Sequence, residues 1–307
     1  MKFRACRWFA VFWLLAVGVT AAGQARSFRT VTVISEPEAA VWIDGVRYGN
    51  TDSAGRLTIK TVSPGKHTIR VRADGFAEGT KQLTAIQKGD IAIPLTQTSD
   101  EAWLAFQEGE RQSTQDRAKA AEAYRKAIKL NPKLTAAHLA LARTLSDGGN
   151  QEAALAAIKA LRRLVPRNAE ASAIEGRIHK ELGDETRAIA AFNRAISEGG
   201  GFQPEAYAGL GLLYKEKLEG ISDPDDPEAA KATAEAAKNL SMAVKQLSGA
   251  PDAMVLMQLL GLIYEEQKRY KDAIAVYEDF LRTFPDSNES EAVRSFIIQI
   301  NKQIAGQ

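Results

Sequence analysis

Two arginines standing 34 residues apart (177 − 143 = 34), Arg143 and Arg177, are the side chains of this 307-residue chain best suited to holding an anion. A guanidinium offers a planar fork of donors that matches a carboxylate, so two of them side by side suit an acidic peptide segment. Lys180 and Lys215 fall on the same predicted helix faces. Glu175, Glu181 and Asp147 lie near enough in sequence to allow a plainer reading, surface charge paired for solubility. A second basic set sits upstream: Arg56, Lys60, Arg70 and Arg72, with Trp42 beside them. If Leu57, Ile59, Ile69 and Val71 point inward on their strands, those four point outward. Such a face suits an anionic polymer or an acidic partner, and equally the solvated side of an antiparallel sheet.

The residue types that do bond-breaking chemistry are sparse. Three histidines exist. His138 and His179 fall at helix-core positions, and His67 follows the Pro64-Gly65 turn. No zinc-binding helix motif, nucleophile elbow or phosphate loop occurs. The acidic run Asp223-Pro224-Asp225-Asp226 lacks the alternating oxygen ligands and glycine of a calcium loop. Asp226 reads instead as the N-cap of a helix opened by Pro227. The expectation is no catalysis, no metal and no cofactor.

The first 25 residues read as an export signal. Lys2, Arg4 and Arg7 precede an apolar stretch, Phe9 to Val19, and small residues follow in Thr20-Ala21-Ala22 and Gly23-Gln24-Ala25. Cleavage predicts a periplasmic or otherwise exported chain with no membrane span; an uncleaved anchor is the alternative. Cys6, the one cysteine, lies inside this segment, so the mature chain carries no thiol, as suits an oxidising compartment. Losing Lys2, Arg4 and Arg7 takes 40 basic residues to 37 against 38 acidic ones. That balance argues against nucleic acid.

Residues 27–97 read as β throughout, with short apolar runs at 31–33, 41–43, 57–59, 69–71 and 91–95 among turn signals. Asp44-Gly45 is a strong turn pair, and Ser63-Pro64-Gly65 reads as a hairpin connection. Ser35-Glu36-Pro37-Glu38-Ala39-Ala40-Val41-Trp42-Ile43-Asp44-Gly45, with Pro64-Gly65-Lys66-His67 and Asp74-Gly75-Phe76, resembles the PEGA family of small extracytoplasmic β-sandwiches. Ala39 replaces the glycine of that pattern, and Thr51-Asp52 replaces its Thr-Pro pair. The resemblance implies an envelope or cell-surface setting and supplies no catalytic residues.

From residue 101 to 304 the chain repeats. Ala120, Ala154 and Ala188 keep the 34-residue step, as do Pro132 and Pro166, and Ala142 and Gly176. That period marks stacked helical hairpins. Gly176, Ala188 and Phe192, then Leu210-Gly211 and Tyr214, then Gly261, Tyr264, Ala273 and Tyr277 resemble the tetratricopeptide repeat. Gly109 sits slightly off register in the first unit. The fourth is interrupted by an insertion near 215–228, and Asn288 with Glu291 starts a final capping helix. The resemblance implies a curved trough lined by the first helix of each unit.

The expected protein is thus multidomain, β plus all-α: a small sandwich, then a right-handed solenoid of about five helical hairpins and a C-terminal cap. The expected role is a non-catalytic interaction scaffold of the bacterial cell envelope. Its trough would take a partner protein or peptide through Arg143, Arg177, Lys180 and Lys215. Its β module would dock to an envelope component through Arg56, Lys60, Arg70, Arg72 and Trp42. The alternative is a polysaccharide- or peptidoglycan-binding protein in which the repeats are a spacer.

Overall fold

The computed structural model describes residues 28–223 and 226–306. The leader expected over 1–25 lies outside them, as do Pro224 and Asp225 of the insertion.

Seven strands form two sheets. β1 (Arg29–Ile34), β4 (Arg56–Val62) and β7 (Gly89–Ala92) make one, ordered β4-β1-β7. β2 (Ala40–Ile43), β3 (Val46–Asn50), β5 (His67–Arg72) and β6 (Gly79–Leu83) make the other, ordered β3-β2-β5-β6. Alternate residues from both sheets meet in a shared core of Val31, Val33, Val41, Ile59, Ile69, Val71, Leu83 and Ile91. Asp44 and Gly45 both take positive φ, +50° and +83°, the conformation that a two-residue hairpin turn between β2 and β3 requires. Ala39 is tolerated in place of glycine because the left-handed residue of its turn is Glu38, at φ 58°.

Ser63-Pro64-Gly65 is not a hairpin. It carries the chain from β4 in one sheet to β5 in the other. The pleat does turn Arg56 and Lys60, and Arg70 and Arg72, away from the core, but on opposite outer faces of the sandwich. The single basic face expected from adjacent strands therefore does not form.

Eleven helices follow as five antiparallel pairs and a cap. The pairs are α1 (Glu101–Gln112) with α2 (Arg117–Leu130), α3 (Thr135–Asp147) with α4 (Gln151–Leu164), and α5 (Ala169–Glu181) with α6 (Glu185–Glu198). Then come α7 (Pro204–Glu219) with α8 (Pro227–Leu247), α9 (Ala253–Glu266) with α10 (Tyr270–Thr283), and α11 (Ser290–Ala305). Six helices begin behind an Asp or Asn whose side chain accepts from a first-turn amide: Asp100, Asp116, Asn150, Asn168, Asp184 and Asp226. The cap starts at Ser290, two residues later than Asn288, and has no side-chain cap of its own.

The repeat register is fixed by close helix crossings. A Cβ on Gly109, Gly176 or Gly261 would lie 2.4, 2.5 or 2.3 Å from a ring carbon of Tyr124, Phe192 or Tyr277. On Gly211 it would lie 2.6 Å from Leu240 Cγ. Only glycine admits the large side chain of the second helix at these points. Gly109 does so although its partner is 15 residues on rather than 16, because the first unit's turn absorbs the difference. In the fourth unit the insertion is absorbed largely as helix: α8 has 21 residues where α2, α4, α6 and α10 have 14 each. Ala236 and Leu240 still take the repeat positions and are fully buried.

Gly211→Val or Gly261→Val should cost roughly 1–3 kcal/mol through overpacking. Denaturant melts of the full chain measure this, and an unshifted midpoint in both variants would mean that the helix pairing is wrong.

Candidate functional site

The sandwich packs onto the repeats at two separated places. At the first, Arg72 leaves β5 and enters α1. Its Nε donates to Glu78 at 2.5 Å and its Nη1 to Glu110 on α1 at 2.7 Å. Three aromatic rings surround the same guanidinium: Trp42 at 5.2 Å, Trp103 at 5.4 Å and Phe106 at 4.9 Å. The side chain is only 11% exposed, which strengthens both kinds of attraction. Around it, Gln107 accepts from the Gly75 amide and donates to the Ala73 and Phe76 carbonyls, and Trp103 Nε1 donates to Phe76 as well. Burial pushes the Glu110 carboxyl up, against the pull of Arg72.

At the second place β3 and β4 meet the turn between α8 and α9. Tyr48 donates its hydroxyl to the Leu247 carbonyl at 3.1 Å, and Ser248 donates to the Thr61 carbonyl at 2.9 Å. Val46 joins the apolar cluster of the last two repeats. The sandwich thus spans from the first helical pair to the junction of the fourth and fifth.

Between these contacts lies a cleft of about 1460 Å³. One wall is the Trp42 face of the sandwich. The other is the first helix of successive pairs, with Leu139, Arg143, Glu170, Glu205, Ala208 and Leu256 among its lining residues. The first-helix wall expected from the repeat is therefore present, and the sandwich roofs it.

The four groove cations expected from sequence all sit on this series of helices, and each is engaged within the chain. Arg143 forks onto Glu205, Nη1 and Nη2 donating to its two oxygens at 2.9 and 2.8 Å, and reaches Glu170 at 3.3 Å. One side chain thus ties α3 to α5 and α7. Burial alone would lower the Arg143 guanidinium; the Glu205 and Glu170 carboxylates reverse this and raise it. Burial would raise Glu205, but Arg143 outweighs it and holds the carboxyl below its ordinary range. Arg177 pairs with Asp147 at 3.0 Å, Lys180 with Glu216 at 2.5 Å, and Lys215 with Glu219. Arg143 is neutralised by carboxylates of its own wall that the sequence did not single out, whereas Arg177 takes Asp147, one of the pairings the sequence allowed, and keeps Nε and Nη2 buried without hydrogen-bond partners.

Of the five envelope-docking candidates, Trp42, Arg70 and Arg72 lie on the face turned toward the repeats. Arg56, paired with Asp90 at 3.1 Å, and Lys60 lie exposed on the other sheet. One constellation escaped sequence reasoning. Asp44 Oδ2 is 2.6 Å from His67 Nδ1, and Ser63 Oγ is 3.3 Å from His67 Nε2. It has the membership of a Ser-His-Asp triad, but His67 Nε2 lies nearer the Ser63 carbonyl, at 2.9 Å, than the Ser63 hydroxyl. Asp44 meanwhile accepts from the Thr68 amide, so the group staples the crossover in place. His138 Nε2 donates to the Pro132 carbonyl at 3.0 Å in the helical core, as a packed imidazole should.

Family models match both parts of the chain. The PEGA domain model covers residues 28–99, and tetratricopeptide repeat models cover 111–134, 139–206 and 256–287. The chain is a PEGA domain followed by tetratricopeptide repeats. The unmatched stretch between the last two repeat models is the unit that carries the insertion. No curated protein matches the sequence. Among solved structures, yeast Tom70 superposes with a TM-score of 0.54 at 16% identity, over 67% of this chain and 41% of its own. The Cut9–Hcn1 hetero-tetramer of the APC/C gives 0.50 at 16%, over 67% and 37%. The MamA protein gives 0.42 at 23%, over 61% and 94%. Both larger proteins extend well beyond the region shared with this chain, and the likeness is one of fold. Tetratricopeptide repeats make the chain a scaffold of the protein-interaction type, and no helix among the described residues is long and apolar enough to cross a membrane.

Two predictions follow from the charges. Arg72→Met strands Glu78 and Glu110 at the domain contact and should cost about 3 kcal/mol; hydrogen exchange should quicken in α1 and at residues 71–76 together. Glu205, with its pKa lowered, contributes stability that is present above the unfolded carboxylate range and lost as pH falls through the lowered value. Arg143→Gln should therefore be destabilised most at neutral pH, with the gap to wild type closing below about pH 4. Urea midpoints across that range check it, and a gap independent of pH would remove Glu205 from the account.

Proposed function

We propose that this chain is a non-catalytic adaptor of the bacterial cell envelope that holds a segment of a partner protein in the cleft between the PEGA domain and the repeats. The observation that carries the reading is the cleft itself, whose wall is made by the repeats' first helices and whose roof is a second domain fixed at both ends. Placement outside the cytoplasm is supported by the basic, apolar and small-residue run of residues 1–25 and by the extracytoplasmic character that the PEGA resemblance implies.

The cell-wall-polymer reading draws less support. It needs one continuous basic face, and the arginines expected to form it are divided between two sheets. Three of the five candidates for envelope docking face the repeats. Arg56 and Lys60 remain the only two of that set turned outward, and any docking to an envelope component falls to their sheet.

A photo-crosslinking amino acid placed singly at Leu139 or Ala208, inside the cleft, and at Lys60 or Ile86, outside it, tests the proposal in the native host. The cleft positions should capture the same partner protein while the outer ones do not. Capture confined to Lys60 and Ile86 would return the recognition to the outer sheet and end the cleft reading.

A further inference from the structure

Arg47 and Arg117 line the cleft as exposed, solvated cations, whereas one partly buried cation there is poorly compensated. Arg70 projects from β5 next to Arg72, with its guanidinium stacked 4.8 Å from the Trp42 ring. Its Nε is buried and has no hydrogen-bond partner. The carboxylate beside it, Glu78, is 3.7 Å away, and the same Glu78 oxygen is taken at 2.5 Å by Arg72. Glu110 on α1 likewise belongs to Arg72, and Glu170 on α5 belongs to Arg143. Burial, then the neighbouring Arg72 charge, lowers the Arg70 guanidinium despite Glu78, Glu170 and Glu110. The wall arginine opposite is saturated, so it does not compete for an incoming anion.

Resting on the cleft reading above, we propose that the occupant is an extended, acidic segment of a partner protein, with one of its carboxylates seated on Arg70 over the Trp42 ring. Three features select this chemistry. The cleft, at about 1460 Å³, exceeds the roughly 300–1,000 Å³ of small-molecule pockets, so it takes a chain. Leu139, Ala140, Ala208 and Leu256 supply an apolar floor for side chains. Glu36, Glu38 and Asp252 line the same cleft together with Arg47, Arg111 and Arg117, a mixed rim that a segment with a carboxylate at one point matches better than a uniformly anionic polymer does. Recognition is then set by the PEGA side of the cleft, with the repeats furnishing the opposite wall.

The test uses the full chain and twelve-residue peptides selected on it from a random display library, each remade with Asp and Glu changed to Asn and Gln. Fluorescence polarisation of the labelled peptides gives the affinities. Selected peptides should carry an acidic residue, and Arg70→Gln should weaken them about ten-fold or more, Arg70→Lys less. The amide versions should bind wild type and Arg70→Gln alike. Because the amide versions report on the cleft without the carboxylate, a loss confined to the acidic peptides and partly restored by Arg70→Lys is an effect that damage to the fold does not produce. Equal binding by Arg70→Gln, selected peptides without acidic residues, or no peptides selected at all would overturn the proposal. So would polygalacturonate binding that depends on Arg70 and displaces the peptides. Crosslinking from Leu139 with Arg70 variants unaffected would sink only the Arg70 assignment, while crosslinking from Lys60 alone would sink the cleft reading beneath it.

Discussion

The Arg72 guanidinium, held by two carboxylates and enclosed by three aromatic rings, is the contact on which the arrangement of this molecule turns. A cation removed from water is costly unless its donors are used and its charge is balanced. Here Glu78 comes from the sandwich and Glu110 from the first repeat, so the balance exists only when the two domains are docked. Trp103, Phe106 and Gln107 surround it from α1 and bind the Ala73–Phe76 turn. With that end fixed, the Tyr48 and Ser248 contacts at the other decide how the sandwich lies across the trough. An open solenoid becomes a two-walled cleft.

The repeats answer a different constraint. Each pair must bring its helices close enough for a large side chain of the second to lie on the backbone of the first, and glycine at 109, 176, 211 and 261 permits it. Charges then stitch neighbouring pairs together: Arg143 reaches across two units to Glu205, and Arg177 reaches back to Asp147. A wall whose charges neutralise one another offers a ligand shape and apolar floor more than net charge. In the reading proposed above, selectivity passes to the opposite wall, where Trp42 and Arg70 stand.

Much of this was legible in the chain. The 34-residue step gave the helical hairpin as the repeating unit, the tetratricopeptide resemblance gave five of them, and Gly211 and Gly261 gave the crossings, because helix packing admits few residue types at a close approach. Alternation placed Leu57, Ile59, Ile69 and Val71 in the core, because the pleat has a fixed period. What failed did so for a common reason. Ser63-Pro64-Gly65 has the composition of a hairpin, but composition does not say which sheet the next strand joins. The basic face failed with it, since Arg56 and Arg70 share an outward direction without sharing a sheet. The Ser63-His67-Asp44 staple was invisible because its members meet only after that crossover is made.

Local pattern determined the two domains, their order and the Asp226 cap of α8, and the repeat resemblance implied the inner wall of first helices. Those features depend on residues within one turn, one strand or one repeat, where spacing fixes geometry. Tertiary structure alone decided that the sandwich would cover the trough, that Arg72 would be buried and Arg70 left facing the cleft, and that Arg143 would be neutralised by Glu205 and Glu170 on neighbouring helices. Those outcomes depend on which charges meet across domains and units once solvent is excluded, and no interval along the chain encodes that meeting.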